Sequence, residues 1–189
     1  MEPLAFLARA RAQFEDRLRA VRPQDHHLPT PCPEWDVATL VEHVIAGDRM
    51  AAAVARGAGR DEGIAVMLAP PSTDDPTIAF ARAADDLAAA LAEPGAIERV
   101  VHHPVTDMPG GMLLGFRAGD YTYHAWDLAR ATGQDETLDP EVVAGLLAVV
   151  EQAAPRLVAS GRFGTGASGD LAADAPAQDR LLDMVGRRP

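Results

Sequence analysis

The residues of this chain best suited to chemistry are two histidines and an aspartate in two separated segments. Asp120 and His124 stand in GDYTYHAWDLARATG four positions apart, so on a helix both side chains leave the same face about one turn apart. His43 lies far upstream in EWDVATLVEHVIAGDRM, beside the apolar face of a second helical pattern. Two imidazoles and one carboxylate form a donor set that divalent metals use. These three residues are therefore candidate ligands of one metal ion.

A site of this composition would be open and cationic. Two neutral imidazoles and one carboxylate leave a divalent ion with a net positive charge, and three protein ligands leave room for water or substrate. The charge of such an ion lowers the pKa of a bound thiol and favours the thiolate. The alternative is a structural role that needs no metal, in which Asp120 and His124 are a helix-surface pair and His43 is a half-buried core histidine.

Two further residues could support this site or be unrelated to it. Asp127 follows His124 by one turn, where it accepts the second N–H of a liganding histidine, is a helix-surface charge, or contacts Arg130 or Arg156. Cys32 is interpreted as a structural, half-buried thiol, because His43 lies about three turns along the helix that follows it. As the single cysteine of the chain it excludes an internal disulfide and suits a reducing compartment.

Apolar residues that recur at three- and four-residue spacing predict amphipathic helices. The predicted helices cover about 3–22, 37–56, 77–92, 112–132 and 139–159, with a last short helix near 177–185. Asp36 and Asp139 are the predicted N-caps of the second and fifth helices. The segment IERVVHHPVTDMPGG is β-branched at its start and predicts a short extended piece or hairpin arm.

This pattern favours an all-α fold, a four-helix bundle with short extra helices and one short extended segment. Metal sites in such bundles are commonly built from inward-facing residues on different helices, which suits His43 together with Asp120 and His124. The length of 189 residues suits one domain over 1–189, in which the tail 160–189 packs on the bundle or is partly irregular.

Charge and hydropathy narrow the classes of partner. The net charge of −11 argues against nucleic-acid binding, which requires a basic surface. The N-terminal segment carries charges among its apolar residues and lacks the apolar core of a signal peptide, and no run approaches the ~20 apolar residues of a membrane helix. We therefore expect a cytoplasmic protein that binds neither nucleic acid nor membrane.

Two motifs together carry a family resemblance. TPCPEWDVATLVEH, residues 30–43, followed by DYTYHAWDLARATG, residues 120–133, resembles the metal-binding domain of the mycothiol-dependent maleylpyruvate isomerase family, one of the DinB-like four-helix metal proteins. The ending APAQDRLLDMVGRRP is similar to a small metal-binding subfamily of that group. Two departures stand out: the family usually has Glu where this chain has the shorter Asp120, and the isomerase carries a further C-terminal domain that this chain is expected to lack.

The resemblance implies a ligand set and a cofactor. His43, Asp120 and His124 would bind zinc or nickel, with Asp127 behind them, and a low-molecular-weight thiol such as mycothiol would act at the metal. One hypothesis is therefore an enzyme, a metal-dependent thiol transferase or isomerase that acts on a small electrophilic substrate. The other is a non-catalytic metal-binding or scaffold protein of the same fold that forms a homodimer. The enzyme is the favoured hypothesis.

Overall fold

Four long helices build the first of two compact units, which spans Met1–Glu136. The elements of this unit are α1 (Pro3–Arg19), a 3-10 turn (Pro23–Asp25), α2 (Val37–Ala55), α3 (Arg60–Met67), α4 (Pro76–Leu91), β1 (Val100–His102), β2 (Asp107–Pro109) and α5 (Gly110–Thr132). Helix α1 packs on α4 and α5, and α2 packs on the same two helices, so the four close into a bundle. The predicted all-α four-helix bundle is confirmed. The computed structural model describes residues 1–71, 75–160, 166–172 and 174–189, without the side chains of 154–160.

Helix α2, which carries one of the candidate ligands, begins where the sequence predicts. The Asp36 carboxylate accepts a hydrogen bond from the Thr39 backbone N–H at 2.8 Å, which satisfies one of the amides left open at a helix start. Leu40, Val44 and Ile45 are buried on its inner face. His43 follows this apolar stripe and is half-buried, so the helix delivers its imidazole to the border between core and surface.

A short antiparallel hairpin leads into α5 and confirms the predicted extended piece. Val101 pairs with Met108 in the middle of its register. Helix α5 begins at Gly110, two residues before the predicted start at 112. A Cβ at Gly110 would lie 2.0 Å from the Ala96 carbonyl oxygen, so the close approach of this loop requires a glycine there.

The short helix α3 is one element that the sequence analysis did not predict. It spans only Arg60–Met67 and has a single buried residue, Gly63, so its apolar pattern is weak. The Glu62 carboxylate closes its first turn by accepting from the Gly59 N–H at 2.9 Å.

The second compact unit, Thr137–Pro189, contains α6 (Pro140–Ser160) and α7 (Ala177–Met184), which pack on each other. The Asp139 carboxylate accepts from the Glu141 N–H at 2.9 Å, which confirms the predicted N-cap of α6. The expectation that residues 1–189 form one metal-binding domain stays a prediction. All of the candidate ligands lie in the first unit.

Within the described parts of the chain, no helix combines the length and the apolar content that a membrane crossing requires.

Candidate metal centre

The three predicted ligands converge where α2 faces α5. His43, Asp120 and His124 each offer one ligand atom, and these atoms all lie within 4.8 Å of one another. His43 Nε2 lies 3.7 Å from Asp120 Oδ2, and the two imidazole rings are 5.2 Å apart and nearly perpendicular. His124 is buried, whereas about a third of the His43 and Asp120 side chains is exposed. The cluster therefore has a buried floor and an open side.

The donor set fits a divalent metal. Two ligands at about 2.0–2.1 Å from a tetrahedral zinc ion lie roughly 3.4 Å apart, so the 3.7 Å between His43 Nε2 and Asp120 Oδ2 is already close to the required separation. Two histidines and one carboxylate are also the ligands of a known class of catalytic zinc site. Asp120, although one methylene shorter than the family's usual glutamate, reaches the histidines.

Asp127 lies behind His124 on the same helix. Its carboxylate is fully buried, and His124 Nδ1 lies 2.9 Å from Asp127 Oδ2. The alternative of a helix-surface charge at Asp127 is therefore wrong; Arg130 instead pairs with Glu136 and stacks on Trp126. Because Nδ1 is bonded to a carboxylate, Nε2 of His124 is the nitrogen available to a ligand.

The loop that precedes α2 packs over the same end of the site. Thr30 Oγ1 donates to the Trp35 carbonyl at 2.9 Å, and the Trp35 N–H donates to the Cys32 carbonyl at 3.1 Å, so the loop folds into a tight turn. This turn places the Trp35 ring 4.6 Å from the ring of His43 and 6.0 Å from that of His124. Glu34 has φ 71°, a left-handed conformation that side chains rarely adopt, which marks the turn as sharply bent.

The same turn brings Cys32 to the floor of the site. Its thiol, on a half-buried residue, donates to Asp127 Oδ2 at 3.3 Å. Cys32, His124 and Asp127 thus form a second close group of ligand-type atoms, and hydrogen bonds to one carboxylate oxygen account for their proximity. The three helical turns between Cys32 and His43 did not predict the contact of Cys32 with Asp127. The loop before α2 folds back toward α5 instead of continuing along the axis of α2.

Arg117 is a second residue that sequence reasoning missed. It lies one turn before Asp120 on α5, it is buried, and its Nη1 donates to Asp120 Oδ2. Its Nε donates to Asp48 Oδ1 at 3.0 Å, and its Nη2 donates to the Val44 carbonyl at 3.0 Å. Tyr121, the residue after Asp120, is also buried, and its hydroxyl donates to the same Asp48 oxygen at 2.8 Å.

The buried charges shift each other's protonation. Burial raises the pKa of Asp48 to about 6, against the opposing effects of the Arg117 charge and the Tyr121 hydrogen bond. Its second oxygen, Oδ2, has no hydrogen-bond partner among the described residues. Burial would also raise the pKa of Asp120, but the Arg117 charge and the contacts with His43 and His124 hold it well below its ordinary value. Asp120 is therefore a carboxylate at neutral pH, as a metal ligand must be.

The i, i+3 spacing of Arg117 and Asp120 was the signal available for this contact. An arginine one turn from a candidate ligand suggests a pair. A signal for Asp48 was also present, because it lies four residues after Val44 and eight after Leu40, on the apolar face of α2, where a charged residue requires a partner.

Several known proteins are similar to this chain. Residues 7–129 match the family described as the mycothiol maleylpyruvate isomerase N-terminal domain. Two uncharacterized proteins of Mycobacterium tuberculosis, from strains CDC 1551 / Oshkosh and H37Rv, are each 37% identical over 164 residues, which is 86% of this chain and 82% of theirs.

Solved structures share the fold. A crystal structure of the mycothiol-dependent maleylpyruvate isomerase has a TM-score of 0.61 at 18% identity, over 84% of this chain and 71% of that one. A histidine-to-alanine mutant of that enzyme has a TM-score of 0.60 over the same shares. The family match covers most of the chain and includes every candidate ligand. The chain therefore belongs to the mycothiol maleylpyruvate isomerase N-terminal domain family.

Proposed function

We propose that this protein binds a divalent metal at His43, Asp120 and His124 and acts as a metal-dependent thiol transferase or isomerase on a small electrophilic substrate. Zinc is the first expected metal and nickel the second, because this mixed nitrogen and oxygen set suits both. The observation that carries the proposal is the meeting of three ligand atoms, from two helices, within 4.8 Å.

The surrounding residues support this role by fixing the ligands. Asp127 bonds to Nδ1 of His124 and so directs Nε2 of that ring toward the other two ligands. The Trp35 ring packs 4.6 Å from His43 and restricts the rotation of its imidazole. The partial exposure of His43 and Asp120 leaves one side from which small molecules can approach.

The donor set and the family support the proposed reaction class. A metal bound here would supply a Lewis acid that lowers the pKa of a thiol and favours its thiolate. The solved neighbour is named as mycothiol-dependent, so mycothiol or another low-molecular-weight thiol is the proposed cosubstrate. The chain's own contribution is to hold the ligands, to leave an open side for the thiol, and to admit the electrophile beside it.

Elemental analysis of untagged protein purified without chelator tests the metal site. We expect about one equivalent of zinc or nickel in the parent and none in His43→Ala. His27→Ala is the matched control, because that imidazole is 90% exposed and lies outside the cluster, and it should keep the parent's metal content. A His43→Ala protein with full metal content would refute the ligand set.

A conjugation assay tests the proposed activity. The zinc-loaded parent is incubated with mycothiol and a panel of small α,β-unsaturated acceptors, and conjugates and isomerised products are followed by mass spectrometry. Turnover in the parent, with none in His124→Ala, is the expected result. Full activity in His124→Ala would contradict the proposal.

A second candidate function is a non-catalytic binding or dimeric scaffold protein of the same fold. One contact favours it: the Arg117 guanidinium already neutralises Asp120, so the carboxylate has a cationic partner without a metal. This candidate predicts less than one metal per chain and no rise in melting temperature when zinc is added. Because binding to the folded state alone raises stability by mass action, a zinc-dependent rise in melting temperature would favour the metal centre instead.

A further inference from the structure

We propose that Arg117 is a positioning residue for Asp120, and that Gly47 and Asp48 are present to hold its guanidinium in place. This inference rests on the proposed metal site and adds a role for three residues outside the ligand set. Arg117 reaches no solvent-exposed surface and acts only through the carboxylate that it binds.

The contact with Asp120 restrains a side chain that would otherwise be mobile. About a third of the Asp120 side chain is exposed, and packing alone leaves such a carboxylate several rotamers. Arg117 Nη1 donates to Oδ2, the same oxygen that lies 3.7 Å from His43 Nε2. The guanidinium thus fixes the orientation in which the carboxylate faces the histidines.

The guanidinium is itself held by two further partners, Asp48 and the Val44 carbonyl. Asp48 accepts from Arg117 Nε at 3.0 Å, and the Val44 carbonyl accepts from Nη2 at 3.0 Å. Asp48 is in turn held by the Tyr121 hydroxyl at 2.8 Å. Asp48 is fully buried and Arg117 nearly so, which makes the arrangement rigid compared with a surface ion pair.

Gly47 provides the space in which the guanidinium lies. A Cβ at this position would come within 2.4 Å of Arg117 Nη1, the nitrogen that binds Asp120. Any larger residue would push that nitrogen away from its present place. Gly47 and Asp48 on α2 therefore form the position that Arg117 occupies: Gly47 leaves space for its guanidinium, and Asp48 supplies the opposite charge.

Partners behind metal ligands commonly change metal affinity by about 10- to 100-fold when they are removed. We expect an effect of this size from any change that displaces the guanidinium. Gly47→Ala is the most informative variant, because it retains every charged group and moves only the position of Arg117. Alanine is also the better helix former, so the helix itself should remain stable.

The experiment measures zinc affinity by competition with a chromophoric chelator, on folded protein confirmed by circular dichroism. Gly47→Ala should bind zinc about 10- to 100-fold more weakly than the parent. Gly115→Ala is the matched control, because its Cβ would meet nothing within 4 Å, and its affinity should stay within about twofold of the parent's. A Gly47→Ala protein with the parent's affinity would overturn the inference.

The methyl group added by Gly47→Ala could act by shifting α2 and not by displacing Arg117. A second variant, which lacks the two buried charges, distinguishes these effects. The double variant Asp48→Asn with Arg117→Met removes both buried charges and should also bind zinc about 10- to 100-fold more weakly. Adding Gly47→Ala to this background should cause no further loss, because the displaced nitrogen is gone. An equal further loss would show that Gly47 acts independently of Arg117 and would refute the positioning role.

The result for the parent separates this inference from the proposed function. A parent that binds no zinc defeats both. A parent that binds one equivalent, beside a Gly47→Ala protein of equal affinity, defeats only the role of Arg117 and leaves the metal centre in place.

Discussion

Two of the internal seams of the bundle have opposite character. Between α1, α4 and α5 lies an apolar seam, where the rings of Phe14 and Phe80 are 5.0 Å apart and Leu87 is fully buried. Between α2 and α5 lies a polar seam, made of Asp48, Arg117, Asp120, His124 and Asp127. Tyr121 belongs to both, since its ring packs edge-on against Phe80 while its hydroxyl bonds to Asp48.

The difference separates a region that stabilises the fold from the region where we propose that a ligand binds. Burial of apolar side chains stabilises a fold directly. Burial of a charge costs several kcal/mol of desolvation per ion, which its ion pairs and hydrogen bonds must offset. A fold that only needed to be stable would have no reason to place an arginine and three aspartates between two of its four helices. The polar seam therefore points to binding, and the two seams should respond differently to the same kind of substitution.

The largest expected effect is on the stability of the polar seam. Arg117→Met leaves Asp48 as a buried carboxylate without its charge partner, and we expect the free energy of unfolding to fall by about 3–5 kcal/mol. Adding Asp48→Asn removes the stranded charge and should recover about half of that loss. Urea titrations of the metal-free proteins measure both changes. Strictly additive losses would mean that the two residues do not form a stabilising pair.

A comparable truncation in the apolar seam should cost stability without touching the metal. Leu87→Ala removes a fully buried side chain and should lower the free energy of unfolding by about 3 kcal/mol through lost burial and a residual cavity. The zinc affinity of the folded protein should stay within about twofold of the parent's, because Leu87 lies on α4, which carries none of the three candidate ligands. A tenfold loss of zinc affinity would show that the two seams are coupled, and would contradict separate roles for them in stability and in metal binding.

The pH dependence of stability gives a smaller effect of defined sign. Because the pKa of Asp48 is raised to about 6, the folded protein retains a proton that the unfolded chain releases near pH 4. The contribution of Asp48 is therefore fully present only below about pH 4, and it is lost as the pH rises from there through about 6. Between pH 5 and 7.5 this loss is about 1 kcal/mol.

Subtraction of Asp48→Asn isolates this contribution from that of the histidines. The free energy of unfolding of the parent, minus that of Asp48→Asn, should fall by about 1 kcal/mol from pH 5 to 7.5 in chelator. Asp120 does not interfere, because its pKa lies below this range. A difference that rises with pH would mean that the ionised Asp48 is favoured by the fold.

Much of the fold and part of the site could be predicted from the sequence, because these features depend on interactions between residues close in the chain. Helix boundaries and caps are local, so periodic apolar residues and Asp36 were enough to place α2. The pairing of Asp120 with His124 is also local, since both lie on one helix face. His43 could be joined to them only through the bundle geometry and the family resemblance.

The parts that were missed depend on contacts between elements. The partnership of Asp48 with Arg117 joins residues 69 positions apart, and neither residue differs in type from a surface charge. Cys32 meets Asp127 across 95 positions, through a turn whose left-handed Glu34 gives no signal in the sequence. Helix α3 was missed for the opposite reason, because a short helix with one buried residue has almost no pattern to read.

The smallest expected effect separates two roles for Cys32 at the edge of the polar seam. Its thiol donates to Asp127, whose carboxylate also bonds to the candidate ligand His124, so the thiol is joined to that ligand through one carboxylate oxygen. The loss of one such hydrogen bond is worth about 1 kcal/mol, and Cys32→Ala should therefore weaken zinc binding by about fivefold or less. Cys32→Ser keeps a donor at nearly the same place and should stay within about twofold of the parent.

If Cys32 were itself a zinc ligand, serine would fail as alanine does, because a serine hydroxyl is a poor zinc ligand, and both variants would lose affinity equally. Equal loss would thus move Cys32 from the support of Asp127 into the ligand set, and the polar seam would then extend from α5 into the loop before α2.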